Sequence, residues 1–206
     1  MVRNSQDLKN ETTLWELFRN GEESAFSALF ELTSDKLYRY GTKFVSDEES
    51  VKDCIQELFI KLYENRQQLP ALSNPLFYLF SSLKNLLIDM IRHNQRMVYI
   101  SPEELPFHVQ FAFGQEEDEE PDESIKARFE EVLSLLSDRQ KEAIYLRFQA
   151  EMSYDEISQL LGINNQSARN IVHRAMEKIR SCLNMDTLII LLGTPGQMRK
   201  KSIPGR

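Results

Sequence analysis

Ser153-Tyr-Asp-Glu-Ile-Ser-Gln-Leu-Leu-Gly162 is the stretch that decides the fold of the C-terminal half, together with the residues that follow it. A serine that can cap a helix precedes a short amphipathic run, and a glycine ends that run. Ile163-Asn-Asn165 then begins a longer helix with a polar, partly basic face. In DNA-binding proteins, a short helix followed by a turn containing glycine and a second, basic helix is the arrangement that places the second helix in the major groove. The pattern therefore favours a helix-turn-helix, and nucleic-acid binding over catalysis.

The distribution of charge agrees with this interpretation, although the net charge of the chain is −7. Residues 98–123 carry nine acidic side chains and no Lys or Arg. From residue 164 onward there are eight basic and two acidic residues. Positive charge is thus concentrated on and after the proposed recognition helix, as a DNA-binding surface requires.

The sequence predicts an all-α protein: two small helical domains joined by an acidic, flexible linker. The C-terminal domain is predicted to be a helix-turn-helix similar to a winged helix without its wing. Apolar residues recur at helical spacing, only seven glycines occur, and no alternating strand pattern is present. The predicted boundaries are 1–97 for the first domain, 98–123 for the linker, 124–184 for the second domain and 185–206 for a tail. The predicted helices cover 13–18, 22–44, 47–64, 75–96, 124–136, 138–149, 153–161 and 164–183.

The linker prediction depends on composition. Residues 98–123 include three prolines and the acidic run Glu116–Glu120, and such a segment is not expected to form a packed core. The tail combines a short apolar run, Leu188–Leu192, with a basic cluster near its end. That run is far shorter than the roughly 20 residues needed to cross a bilayer, so we expect no membrane insertion.

Cysteine and histidine usage argues against metal sites and catalysis. Cys54 and Cys182 are isolated, with no metal-ligand spacing, so we expect a reducing cytoplasm and no disulfide. The N-terminus lacks the apolar core of a signal peptide, which also favours a cytoplasmic location. The three histidines form no cluster with Cys or Asp, and there is neither a nucleophile elbow nor a phosphate-binding glycine loop. The sequence therefore predicts a protein that is not an enzyme and needs no cofactor.

The last predicted helix has an apolar stripe for packing and an opposite polar face. That face supplies the candidate base-contacting residues Gln166, Ser167, Arg169, Asn170, His173 and Arg174. Arg favours guanine, and Asn or Gln favours adenine. Arg147 and Tyr154, on or before the supporting helix, suit phosphate contacts that position a protein on DNA. An ordinary solvated face is the alternative, which the matched supporting helix and turn disfavour.

The first domain carries two further candidate faces. On the helix over 47–64, the stripe opposite the core is mostly acidic, and taken alone it is more typical of solvated surface than of a docking site. On the helix over 75–96, Lys84, Asn85, Arg92 and Arg96 are predicted to share an outward face. Cationic and amide groups near the aromatic pair Phe77-Tyr78 suit a single strand whose bases stack or flip out. The aromatics suit the core equally, and periodicity alone favours the core.

Two segments together resemble the sigma factors of bacterial RNA polymerase, specifically the small two-domain extracytoplasmic-function (ECF) type. The first segment comprises Asp53-Cys-Ile-Gln-Glu-Leu-Phe59-Ile-Lys-Leu-Tyr63, Pro75-Leu-Phe-Tyr-Leu-Phe80, Lys84-Asn85, Asp89 and Arg92. The second comprises Leu136-Ser-Asp-Arg-Gln140, Tyr154-Asp-Glu-Ile157, Leu161-Gly-Ile163 and His173-Arg-Ala175. The resemblance covers roughly residues 22–97 and 124–183, in the family's order. The chain departs from the family at Gln166, where glycine is usual, and at Ile171, where a basic residue is usual.

The resemblance implies a factor that binds core RNA polymerase and directs promoter-specific initiation. It implies that core polymerase, through the clamp of its beta-prime subunit, binds Asp53, Gln56, Glu57 and Phe59. It implies that the −10 element is captured by the loop 65–75 with Lys84, Asn85, Asp89, Arg92 and Arg96. It implies that the −35 element is recognised by the helix-turn-helix residues Arg147, Tyr154, Gln166, Ser167, Arg169, Asn170, His173 and Arg174.

The resemblance also implies partners. The implied partners are promoter DNA and core polymerase, with a membrane-anchored anti-sigma protein as a further candidate. The resemblance also implies that the chain binds the core enzyme as a monomer. The acidic linker corresponds to the segment threaded toward the polymerase channels, where we hypothesise that it mimics nucleic acid. A conventional helix-turn-helix regulator, whose first domain senses a ligand or dimerises, is the alternative function.

Overall fold

The computed structural model describes residues 10–94, 105–108 and 130–182. The chain divides into two compact units, Met1–Pro102 and Glu103–Arg206. The regular elements within the described ranges are all helical, which confirms the all-α prediction. Among these described helices, none is both long enough and apolar enough to span a membrane.

Four α-helices and one short 3-10 turn form the described part of the first unit. They are α1 (Glu11–Arg19), α2 (Glu23–Gly41), α3 (Glu48–Glu64), the 3-10 turn (Arg66–Gln68) and α4 (Pro75–Asn94). The Asn10 side chain caps α1 by accepting a hydrogen bond from the Thr12 amide at 3.0 Å. Gly21 adopts a φ of 93° between α1 and α2, a conformation that glycine adopts without steric cost.

The first unit has a core rich in aromatic rings. Trp15, Phe18, Tyr40 and Phe80 are each at most 1% exposed. The Tyr40 and Phe80 ring centroids lie 4.6 Å apart, within the range of favourable aromatic pairs. On α3, four apolar residues at helical spacing face this core and are buried: Val51, Ile55, Leu58 and Leu62. This core fixes α2, α3 and α4 and so positions their outer faces.

Gly41, the last residue of α2, lies where α2 meets α3 and α4. A Cβ added at Gly41 would come within 2.5 Å of Val51 Cγ1 on α3, closer than carbon atoms can approach. Leu83 and Leu87 of α4 close the other side at 3.7 Å. The absence of a side chain at this position is what allows the helices to come so close.

The second unit contains three complete helices: α5 (Asp138–Phe148), α6 (Tyr154–Leu160) and α7 (Asn165–Cys182). Residues 130–134 are also helical, and they are the described end of the helix predicted over 124–136. Capping boxes begin two of the helices, formed by Ser137 with Gln140 for α5 and by Ser153 with Glu156 for α6. These local signals are why the predicted starts of both helices agree with the structure.

The core of the second unit lies between α5, α6 and α7. Ala143, Ala168 and Ala175 are fully buried, and their small side chains let the helix backbones approach closely. Leu146, Ile157 and Val172 fill the remaining space and are at most 1% exposed. Packing therefore involves one face of α7 and leaves its polar face to solvent.

The structure corrects the linker prediction at residues 105–108. Leu105 is 4% exposed and Phe107 is 1% exposed, and the Phe107 ring lies 5.8 Å from the Tyr145 ring of α5. The average composition of residues 98–123 is acidic and gives no sign of this pair. Burial of two large apolar side chains is nevertheless favourable enough to order the chain at this point. The acidic run Glu116–Glu120 and the tail 185–206 lie outside the described residues.

We expect Gly41→Ala to destabilise the protein by about 1–3 kcal/mol, because an extra methyl group is forced against a stiff, β-branched valine. The gain in helix propensity from Gly to Ala is at most about 1 kcal/mol, which is too small to reverse the sign. Urea unfolding followed by circular dichroism measures the change. The double variant Gly41→Ala/Val51→Ala should regain part of the free energy of unfolding that the clash removes from Gly41→Ala. If it regains none, the assigned contact between positions 41 and 51 is wrong.

Candidate nucleic-acid interface

The turn between α6 and α7 has the geometry of a Schellman motif. The amide of Ile163 donates to the carbonyl of Ser158 at 2.9 Å, and that of Gly162 donates to the carbonyl of Gln159 at 3.2 Å. Gly162 has a φ of 64°, the left-handed conformation this motif requires. Asn164 then caps α7, its side-chain oxygen accepting from the Ser167 amide at 2.7 Å. The turn thus fixes where α7 begins and how it leaves α6.

Tyr154, the first residue of α6, interacts with arginines from two other helices. The guanidinium carbon of Arg147, on α5, lies 4.8 Å from the Tyr154 ring centroid. That of Arg169, on α7, lies 4.6 Å from the same centroid. Each is a cation–π contact worth about 0.5–2 kcal/mol, depending on desolvation. We call these three residues the Arg–Tyr–Arg cluster; it joins α5, α6 and α7 at the start of the recognition helix.

Hydrogen bonds orient both arginines of the cluster. Arg147 Nη1 donates to the carbonyl of Met152 at 2.8 Å, within the turn between α5 and α6. Arg169 Nε donates to Asn165 Oδ1 at 2.7 Å, and Asn165 Nδ2 donates to Asp155 Oδ1 at 2.5 Å. The chain of contacts from Asp155 to Arg169 connects α6 with α7 and holds the guanidinium in one orientation.

Sequence reasoning missed the role of Asn165. From the sequence, Asn164 and Asn165 are both expected to begin the helix that follows Gly162. In the structure only Asn164 caps the helix, whereas Asn165 binds Arg169 one turn further along. The available signal was the i, i+4 spacing of Asn165 and Arg169, which places both side chains on the same side of a helix.

The predicted polar face of α7 is on the protein surface. Gln166, Asn170, His173 and Arg174 are exposed, and Ser167 and Arg169 are half-buried. Gln166 Nε2 donates to Asn170 Oδ1 at 3.0 Å, so the two amides are paired in the absence of DNA. His173 Nδ1 lies 3.4 Å from a carboxylate oxygen of Glu177, one turn further along. Arg147 and Tyr154, the predicted phosphate-contacting residues, are both half-buried next to this face.

On α3, the structure separates the residues that were predicted to contact a polymerase. Asp53, Gln56 and Glu57 are exposed on one face. Phe59 is only 3% exposed, with its ring 4.9 Å from that of Phe30 and 5.8 Å from that of Phe26. Phe59 is therefore buried in the aromatic core between α2 and α3 and not on the exposed face, although it lines the groove described next; its contact with polymerase stays a prediction.

Sequence reasoning also missed an apolar groove above Phe59. It has a volume of about 490 Å³, and Gln56 is at its edge. Phe30, Ile60 and Tyr63 line it and remain 41%, 49% and 37% exposed. No periodicity within one helix reveals it, because α2 supplies Phe30 and α3 supplies the other two residues. We call these three side chains the α2–α3 apolar patch.

The predicted outward face of α4 is correct for some residues and wrong for Lys84. Asn85 and Asp89 are exposed, and Arg92 Nη1 lies 3.6 Å from Asp89 Oδ1. Lys84 is 5% exposed, with its ammonium nitrogen 5.6 Å from the Phe44 ring centroid. Its long aliphatic stem packs inside while the charge lies over an aromatic face, which is why a lysine is tolerated there. Arg96 lies outside the described residues.

Phe77 and Tyr78, near the start of α4, are half-buried. The Tyr78 ring lies 5.4 Å from the ring of Trp15 on α1. Tyr78 thus packs against the first unit's own core, which agrees with the interpretation that periodicity favoured.

The environment of Cys54 on α3 disfavours its thiolate form. Burial raises the pKa of its thiol, and the nearby Glu57 and Asp53 carboxylates raise it further. A thiol that stays protonated at neutral pH is a poor nucleophile and a poor metal ligand.

Comparison with known proteins agrees with this arrangement of two helical units. The family model for Sigma-70 region 2 matches residues 29–97, and the model for Sigma-70, region 4 matches residues 126–179. Together the two matches cover more than half of the chain. The protein belongs to the sigma-70 family, as an ECF sigma factor. It directs RNA polymerase to initiate at specific promoters, and the conventional-regulator alternative is not favoured.

Several relatives support this placement. The RNA polymerase sigma factor CarQ of Myxococcus xanthus is 25% identical over 169 residues, covering 82% of this chain and 94% of CarQ. The ECF sigma factor SigW of Bacillus subtilis is 23% identical over 172 residues, covering 80% of this chain and 92% of SigW. A solved structure of RpoE with the anti-sigma factor NepR from Bartonella quintana has a TM-score of 0.56 at 22% identity. It covers 78% of this sigma factor and 98% of RpoE, and the likeness shows a shared fold.

Proposed function

We propose that α7 anchors this sigma factor in the major groove of the −35 element, with Arg169 as its central reader. The Arg–Tyr–Arg cluster is the observation that carries the proposal. Within it, the Tyr154 ring contacts the face of the Arg169 guanidinium, while Asn165 accepts the hydrogen bond from Arg169 Nε. The two terminal nitrogens of the guanidinium make no other described contact, and they suit a bidentate bond to guanine. Gln166 and Asn170 flank Arg169 on the exposed face and suit adenine after their mutual bond opens.

Around this centre, the remaining −35 contacts have two roles. Ser167, His173 and Arg174 extend the DNA-facing side of α7. Arg147 and Tyr154, the other two members of the cluster, help to position Arg169 and supply contacts to phosphates. Residues 124–184 act as the −35 domain in this proposal, and the described part of that range provides every residue named for it.

Residues 1–97, which lie within the first unit, are proposed to bind and open the −10 element. Asn85, Asp89 and Arg92 form a polar face on α4, close in sequence to the loop 65–75. Unpaired bases captured by such a face and loop favour the open state, because only that state offers flipped bases to bind. Arg96 belongs to the same proposal from its sequence position. Lys84 is left out because its ammonium lies over Phe44.

Core polymerase is proposed to bind α3 through its beta-prime clamp. Asp53, Gln56 and Glu57 provide an acidic, exposed face, and the α2–α3 apolar patch lies beside it. Exposed aromatic and aliphatic side chains bordered by acidic groups fit a partner helix that is apolar in the middle and basic at its edge. The ion pair between Glu57 and Lys61, 2.6 Å apart with both side chains about half exposed, contributes little and can open on binding.

The proposal also covers catalysis, cellular location, oligomeric state and regulation. The chain catalyses no covalent step itself and works in the cytoplasm, where polymerase and promoter DNA are found, as a monomer on the core enzyme. A membrane-anchored anti-sigma protein is its proposed regulator. The structurally similar RpoE, found in complex with the anti-sigma factor NepR, supports an anti-sigma partner; the membrane anchor comes from the sequence resemblance.

Transcription in vitro tests the function as a whole. Core polymerase mixed with the full chain should initiate from a defined subset of genomic fragments, and mapping of the start sites should reveal shared −35 and −10 elements. Core polymerase alone provides the control. A conventional regulator binds DNA without conferring initiation on core enzyme, so DNA binding without new start sites would contradict the proposal.

Arg169→Ala should weaken −35 recognition by about 1–3 kcal/mol, the usual contribution of a bidentate arginine–guanine contact. The measurement is holoenzyme binding to promoters with matched and substituted −35 elements. Arg180→Ala, at the far end of the same helix, is the matched control and should leave promoter preference unchanged. Equal preference in wild type and Arg169→Ala would remove Arg169 from the set of base-contacting residues.

Asp53→Ala combined with Gln56→Ala should weaken core polymerase binding by about 1–3 kcal/mol, as expected for residues near the centre of an interface. Both side chains are exposed, so the thermal midpoint should not fall. Competition with a labelled wild-type chain for core polymerase measures the affinity. Glu49→Ala, in the first turn of the same helix, is the control with the same loss of charge as Asp53→Ala. An equal effect of the control would point to long-range charge instead of a docking contact.

A further inference from the structure

Helix α1 lies outside the Sigma-70 region 2 match, which begins at residue 29, yet it binds the segment that leads into α4. Three of its side chains each donate one hydrogen bond to a main-chain carbonyl of that segment. The bonds are Thr12 Oγ1 to Ser73 at 3.2 Å, Trp15 Nε1 to Pro70 at 2.9 Å and Arg19 Nε to Leu69 at 2.7 Å. The partners are 50 to 61 residues apart in sequence, so these are tertiary contacts.

The three donors lie along one face of α1. Positions 12, 15 and 19 are three and four residues apart, which is the spacing of neighbours on a helix surface. Trp15 is fully buried against Tyr78. The carboxylate of Glu16 holds Arg19 Nη1 at 2.8 Å. Trp15 and Arg19 are therefore held in place by contacts within the protein itself.

The bonds restrain the main chain of the loop and leave its side chains available. The exposed residues of the loop 65–75 are Asn65, Gln67, Gln68, Pro70, Ala71 and Ser73. At the far end, Asn74 Oδ1 accepts from the Phe77 amide at 3.2 Å and so ties the loop to the first turn of α4. The segment is thus held at its start, middle and end, with the polar side chains of Gln67, Gln68 and Ser73 facing solvent.

We infer that Thr12, Trp15 and Arg19 are positioning residues for promoter opening. They hold the main chain of residues 69–73 in the conformation that receives unpaired bases of the −10 element. The inference rests on the proposed function, in which the loop 65–75 captures the non-template strand. A loop already held in its bound conformation loses less conformational entropy when the strand binds. Removing the bonds should therefore weaken the open complex and −10 selectivity, while −35 recognition and core binding remain.

The test uses holoenzyme assembled from core polymerase and the full chain, on a promoter found by start-site mapping. Trp15→Phe and Arg19→Gln each remove a donor to the loop. Glu11→Gln is the matched control, since it breaks the 2.8 Å ion pair of α1 with Lys36 on α2 and leaves the loop bonds intact. Each loop variant should shorten the lifetime of heparin-resistant open complexes about three- to tenfold. Discrimination against substituted −10 elements should fall, and discrimination against substituted −35 elements should not.

Trp15 is the single tryptophan of the chain, so its fluorescence reports on this contact directly. Acrylamide should quench the free Arg19→Gln chain more strongly than the wild type or Glu11→Gln, because release of the loop uncovers the indole. Unchanged lifetimes in both loop variants, or an equal loss in Glu11→Gln, would overturn the inference. If the wild type itself initiates at no promoter, the proposed function fails as well. If it initiates normally and the loop variants match it, only the role of α1 fails.

Discussion

The contact of two guanidinium groups with the Tyr154 ring is the interaction on which the DNA-binding unit depends. It joins α5, the start of α6 and α7 at the surface, beside the apolar core that the same three helices share. Partly buried cation–π contacts of this kind are worth more than the exposed ion pairs found elsewhere on the surface. Two like charges are held close to one ring, and binding to DNA phosphates, as proposed above, would relieve their repulsion.

Helix positions and core stripes could be predicted from the sequence because they depend on local signals. The serines at 137 and 153, each with a partner three residues later, start α5 and α6. Apolar spacing alone identified the inward face of α3. These features follow from backbone hydrogen bonding and helical period, which need no knowledge of the tertiary structure.

The features that sequence reasoning missed concern residues whose environment is supplied by a distant element. Lys84 is buried because Phe44, forty residues earlier, offers its ring to the ammonium. Phe59 is buried because α2 contributes Phe26 and Phe30 around it. Phe107 is buried because Tyr145 lies against it, which no average over an acidic segment could indicate. In each case a contact between separate helices or segments decides the outcome, and a single sequence does not contain that pairing.

The burial of Leu105 and Phe107 changes what the acidic segment is in topological terms. Residues 105–108 and 130–134 both belong to the second unit, so the sequence between them joins two segments of the same unit. An insertion or deletion in the acidic run Glu116–Glu120 therefore changes the length of a connection within one unit. The entropy cost of closing such a connection grows only slowly with its length.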